Sequence, residues 1–178
     1  RGVIQHKGFL TYYLVKNIQE RKLEQPVELG RIYRIVPDDA KPQAVKLPKE
    51  AAEIVPLLAH ANGAIRDAAQ RVLVERADRA VVPAVQKIAA TGATPQTLVQ
   101  ALWTLEGLQA LTPETVKTAL ADKHEKVRAA AVRLADQSLI PEITKLATDP
   151  STEVRLHTTF KLSGQPGIEA ALLTLIES

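Results

Sequence analysis

From Lys49 onward, apolar residues return every three or four positions, the spacing that lines one face of a helix. The runs fall in pairs: Lys49–Ala59 with Ile65–Asp78, Ala80–Ala90 with Thr94–Leu111, Pro113–Ala121 with Lys126–Ala135, and Pro141–Leu146 with Thr152–Leu162. Ile168–Ile176 is expected to open a fifth pair, cut before its second helix, which would leave an apolar stacking face uncapped. Pro56 predicts a kink inside its helix, and Pro95 suits the first turn of the helix it begins. A second pattern repeats across the pairs. Asp122-Lys123-His124-Glu125-Lys126-Val127-Arg128 returns as Asp149-Pro150-Ser151-Thr152-Glu153-Val154-Arg155, and in altered form as His60-Ala61-Asn62-Gly63-Ala64-Ile65-Arg66. Thr94–Trp103 is a degenerate copy, giving a period of roughly 27–34 residues, the range of helical-pair repeats. The reading is a mainly α fold over 49–178, an α-solenoid of about four and a half pairs, by that period.

Upstream the pattern changes. Arg1–Gln5 is short and β-branched, a strand end, and Arg31–Val36 reads as a strand stopped by Pro37. Between them, Phe9, Leu10, Tyr13, Leu14 and Ile18 share one face of an amphipathic helix over Gly8–Leu23. A small strand–helix–strand segment makes no stable sheet alone, so residues 1–36 are expected to close a β-domain begun further upstream. Residues 37–48 hold Pro37, Pro42 and Pro48 without periodicity, a linker of restricted flexibility.

Composition narrows the chemistry. The chain has 178 residues, 46% of them hydrophobic, enough to bury a core, and no cysteine, so disulfides and thiolate chemistry are excluded. No apolar run approaches the roughly 20 residues of a membrane-spanning helix, and there is neither an initiating Met nor a signal-like segment. An internal piece of a longer protein is therefore expected. The net charge of +3 belongs to residues 1–48, with nine Lys/Arg against five Asp/Glu; residues 49–178 carry fourteen against fifteen. Repeats so nearly neutral lack the concentrated basic face that nucleic acid requires. His6, His60, His124 and His157 have no ligand-like spacing, so no metal site is expected, and no nucleophile elbow, phosphate loop or dinucleotide fingerprint occurs.

The Asp-x5-Arg spacing followed by Ala-rich helices resembles the HEAT family of helical repeats. In that family this Asp and Arg form hydrogen-bond ladders between units, and the resemblance implies such a ladder from Arg66, Asp122, Arg128, Asp149 and Arg155. An Asp in a turn and an Arg in a helix's first turn can pair across neighbouring units and satisfy turn groups. Here His60 stands in place of Asp and the second unit has neither residue, so the ladder is expected to be interrupted in its N-terminal half.

Residues 1–36 carry a second resemblance. Arg1–His6, Thr11, Tyr13, Leu14, Ile18 and above all Leu29-Gly30-Arg31-Ile32-Tyr33-Arg34-Ile35 are similar to the closing segment of the β-propeller in bacterial proteins called putative membrane-bound dehydrogenases. Ala101–Leu108 is similar to a stretch of their HEAT part. Those proteins place a sugar-dehydrogenase-like propeller before HEAT repeats and a c-type cytochrome domain. The resemblance implies an exported, periplasmic redox protein with haem c elsewhere in the parent, and no cofactor in the repeats. The repeats would then be a non-catalytic scaffold, partnered by the parent's other domains or by a redox protein. Two alternatives stand beside it: a stand-alone HEAT protein-binding module, or a segment completing a dehydrogenase pocket through His6, Arg31 or Arg34.

Single residues stay open at this point. His6 is the candidate for cofactor contact, set against a structural or surface role. Trp103 reads as core packing or as a recognition hot spot, and Arg71 and Arg133 as ordinary surface charges or as part of the same partner-binding face. His157 is expected at the packed start of a repeat helix, while His60, His124 and the pair Asp38-Asp39 are expected to be solvated.

Overall fold

The computed structural model describes residues 7–23, 38–39 and 46–177, and the chain divides into two compact units, Arg1–Ala44 and Val45–Ser178. The described residues are mainly helical and contain no strand. The strands expected over 1–5 and 31–36, the residues His6, Arg31 and Arg34, and most of the 37–48 linker lie outside the described residues.

In the first unit the amphipathic segment is shorter than its pattern predicts. A 3-10 turn at Lys7–Phe9 precedes α1 (Tyr12–Glu20), because the Thr11 hydroxyl accepts the Leu14 amide and fixes the helix start there. Ile18 is buried, whereas Phe9, Tyr12 and Tyr13 are exposed.

The second unit alternates short and long helices. α2 (Ala51–Ile54), α4 (Val82–Thr91), α6 (Pro113–Leu120) and α8 (Ile140–Thr144) each precede a longer partner: α3 (Gly63–Arg76), α5 (Pro95–Gly107), α7 (Glu125–Leu134) and α9 (Thr152–Leu162). α10 (Glu169–Glu177) follows. Proline shapes the short helices. Pro56 has no amide to give the carbonyl four residues back, and the expected kink is realised as a change of helix type, α2 running into a 3-10 segment at Val55–Ala59. Pro83 and Pro141 likewise sit in the first turns of α4 and α8, each preceded by a 3-10 turn. At α5 and α6 the sequence Thr-Pro-x-Thr recurs. Thr94 and Thr112 cap the amides of Thr97 and Thr115, and Pro95 and Pro113 occupy positions whose amide would go unpaired anyway. α5 ends at Gly107, four residues before its predicted limit, because Gln109 turns the backbone left-handed at φ 53° and the Ala110 amide closes back onto the Leu105 carbonyl.

The long helices contact one another in series, α3 with α5, α5 with α7, and α7 with α9. Beneath them lie two apolar clusters. Ile54, Leu58, Leu73, Val85 and Leu105 centre the first, and Leu102, Val127, Val132, Ile143, Val154 and Leu162 the second. α5 is the seam, sending Ala101 and Leu105 into one cluster and Leu102 into the other.

Candidate functional site

Three arginines, each four residues into its long helix's register from the cap, make the same bonds. Arg66 Nη1 donates to the carbonyls of His60 and Ala61 at 2.7 and 3.0 Å. Arg128 Nη1 donates to those of Asp122 and Lys123 at 2.9 and 3.1 Å, and Arg155 Nη1 to those of Asp149 and Pro150 at 2.8 and 3.4 Å. Each guanidinium thus closes the turn five and six residues behind it. The residue that opens each turn bonds the amide two places on. Asp122 Oδ1 accepts from His124 at 2.7 Å, Asp149 Oδ1 from Ser151 at 2.8 Å, and His60 Nδ1 from Asn62 at 3.0 Å. His60 therefore keeps the local bond that aspartate makes elsewhere, which a reading of it as merely solvated misses. His124 is also engaged, its Nδ1 capping the Lys126 amide at the start of α7. Both imidazoles use Nδ1 as an acceptor, His60 within its turn and His124 at the helix start, roles visible only once the turn register is known.

Between neighbouring helix pairs, Arg128 also meets the carboxylate of the next turn. Arg128 Nε and Nη2 meet Asp149 Oδ2 and Oδ1 at 2.7 and 2.8 Å, a bidentate geometry, with side-chain exposures of 13% and 4%. Burial presses on the Asp149 carboxyl most strongly and upward. The Arg128 hydrogen bond, the Ser151 amide and the charges of Arg128 and Arg155 together outweigh it, so the group sits below the usual aspartate value. The Asp149 hydrogen bond raises Arg128 in turn.

The second helix pair, α4 with α5, breaks the series at both ends. Counting from the α5 cap at Thr94, Gly92 takes the turn position and Leu98 the arginine position. Among the described residues Arg66 therefore meets no carboxylate, and its buried Nε has no hydrogen-bond partner. The Asp122 carboxylate meets no arginine side chain among the described residues. Gly92 could not simply be aspartate, because a Cβ there would lie 2.8 Å from the Ile88 carbonyl oxygen.

Trp103 lies on the other side of α5, half-buried, with the Arg133 guanidinium of α7 5.0 Å from its ring centroid. Together with Asp67, Arg71 and Val74 of α3 and Glu106 of α5 it lines an open groove of about 500 Å³. Arg71 pairs with Glu75 at 3.8 Å, both largely exposed. Arg71 and Arg133 thus flank Trp103 from two different helices. His157 is half-buried on α9.

Among the described residues no cluster of His, Asp or Glu is placed to hold a metal ion, and no helix is long and apolar enough to cross a membrane. No family model, no curated protein and no solved structure matches the chain.

Proposed function

We propose that residues 49–178 are a non-catalytic scaffold, an α-solenoid of HEAT-like helical pairs that spaces and docks other domains. The observation that carries this reading is the recurrence of one arginine-to-turn geometry at Arg66, Arg128 and Arg155. A repeated turn lock on helices that pack in series makes a body whose ends stay at a set distance, which a flexible linker does not. By the sequence resemblance, those ends belong to a dehydrogenase-like propeller and a c-type cytochrome domain of an exported protein. The face bearing Trp103, Arg71 and Arg133 is then its docking surface.

The test is made on the parent protein. Intact mass and a pyridine haemochrome spectrum of the same sample should give a chain much larger than 19.4 kDa with covalent haem. A haem-free parent ending near Ser178 sinks the bridge. Arg128→Ala in the parent should lower thermal stability with turnover per folded molecule unchanged, and a selective loss of turnover would overturn the non-catalytic role.

A further inference from the structure

The break in the arginine series leaves a feature with its own chemistry. A cavity of about 440 Å³ lies between the second and third helix pairs, lined on one side by Pro95, Leu98 and Leu102 and on the other by Glu114, Asp122 and Val127. We propose that it binds the arginine side chain of a partner protein, with the Asp122 carboxylate as its anchor.

The argument rests on a comparison inside the molecule. Asp122 and Asp149 are equivalent: each opens its turn, each gives Oδ1 to the amide two residues on, and each gives its carbonyl to an arginine Nη1 six residues on. At Asp149 the carboxylate also receives two donors of one guanidinium, Nε and Nη2 of Arg128 on the preceding long helix. At Asp122 the preceding long helix is α5, and the residue in Arg128's register is Leu98, which offers no donor. The turn therefore holds the carboxylate in the same way and with the same local bonds, and in place of an internal guanidinium there is a cleft.

The rest of the cleft suits that guest. Leu98, Leu102, Pro95 and Val127 are apolar and match the methylene stem of an arginine, which buries its stem while its head stays polar. Among the side chains lining the cleft, Asp122 and Glu114 are two carboxylates against one ammonium, Lys123; Arg128 sits behind the turn, as Arg155 does behind Asp149, where a second guanidinium is accepted all the same. A carboxylate with one oxygen already fixed by an amide selects the planar fork of a guanidinium over the point charge of a lysine. The volume lies within the range of small-ligand sites. This inference goes beyond the scaffold reading and stands without it.

The experiment is an amide chemical-shift titration of the whole chain with N-acetylarginine amide, which presents the side chain as a protein would. Saturable shifts are expected at Gly92, Leu98 and Asp122–Val127. The citrulline analogue, a neutral isostere, should bind at least about tenfold more weakly, a difference of about 1.4 kcal/mol. Asp122→Asn keeps the oxygen that accepts the His124 amide, so it should fold with an unchanged spectrum and lose the arginine response. Absence of saturable shifts, equal response to citrulline, or full response in folded Asp122→Asn each overturns the proposal. Binding of free arginine with none of the blocked form would overturn the protein side chain as its occupant.

Discussion

The contact between α7 and α9 and the contact between α3 and α5 relate equivalent helices, yet different forces hold them. The first is bridged by the buried, bidentate pair of Arg128 with Asp149. At the second, Arg66 makes its turn bonds but meets no carboxylate among the described residues, and the helices instead come close enough that a Cβ on Gly107 would lie 2.6 Å from Val74 Cγ2. Gln100 adds side-chain bonds to Gln70 and Asp67 across that seam. What the two share is the arginine-to-turn lock. The lock belongs to the single helix pair, and the means of joining pairs is free to vary around it.

The comparison breaks most visibly at Asp149. Asp149→Ala strands a mostly buried guanidinium, so a loss of about 3 kcal/mol is expected, a fall of roughly 6–12 °C in melting midpoint for a domain of this size. Arg66→Ala forfeits two turn bonds and at the same time removes a buried, unpaired Nε, so its loss should be about 1 kcal/mol. Thermal melts of the two variants check the ranking, and equal losses would erase the distinction between the seams. Acid gives the same contrast without the size of the side chain changing. Because Asp149 is lowered in the folded state, its contribution is complete above the ordinary aspartate value of about 3.9 and disappears as pH falls through the lower folded value. Urea midpoints of the native chain and Asp149→Asn should differ at neutral pH and converge below that range.

Much of this architecture was legible because the signals are local. Apolar spacing located the long helices within a few residues, and Asp-x5-Arg marked the turns where guanidinium and carbonyl meet. Two of the shorter helices end before their apolar pattern does, α2 because Pro56 turns its end into a 3-10 segment and α8 because a 3-10 segment at Lys145–Thr148 follows it. The substitution of His60 for Asp reads as a loss in sequence, since the bond it preserves is made by a ring nitrogen to a nearby amide. Least legible was the cleft beside Asp122. It depends on what Leu98 lacks and on an unrelated close contact at Gly92, and neither follows from the hydrophobic pattern.

The α3–α5 seam is sharpened by Gly107. Gly107→Ala adds a methyl against a β-branched side chain with little rotamer freedom, so the helices must part and the loss should be about 1–3 kcal/mol. Val74→Ala opens the space that the new methyl needs. In the double variant the extra cost of Gly107→Ala should largely vanish, which a double-mutant cycle by urea unfolding reads directly. Additive losses would mean that close packing of these two residues is not what joins α3 to α5.

The smallest effect is expected where the ion pair looks most like the buried one. Lys126 of α7 pairs with Glu153 of α9, beside the bond from Arg128 of α7 to Asp149 in the turn that leads into α9, and the pairing raises the lysine and lowers the glutamate from their ordinary values. Both side chains are exposed, at 55% and 38%, so water competes for each partner and salt screens the pair. Lys126→Ala should therefore melt indistinguishably from the native chain at about 0.15 M salt, where the screening length is about 8 Å. A loss comparable to that of Asp149→Ala would show that joining the two helices, rather than burying the charges, decides what an ion pair contributes here, and the contrast between the two seams would need another cause.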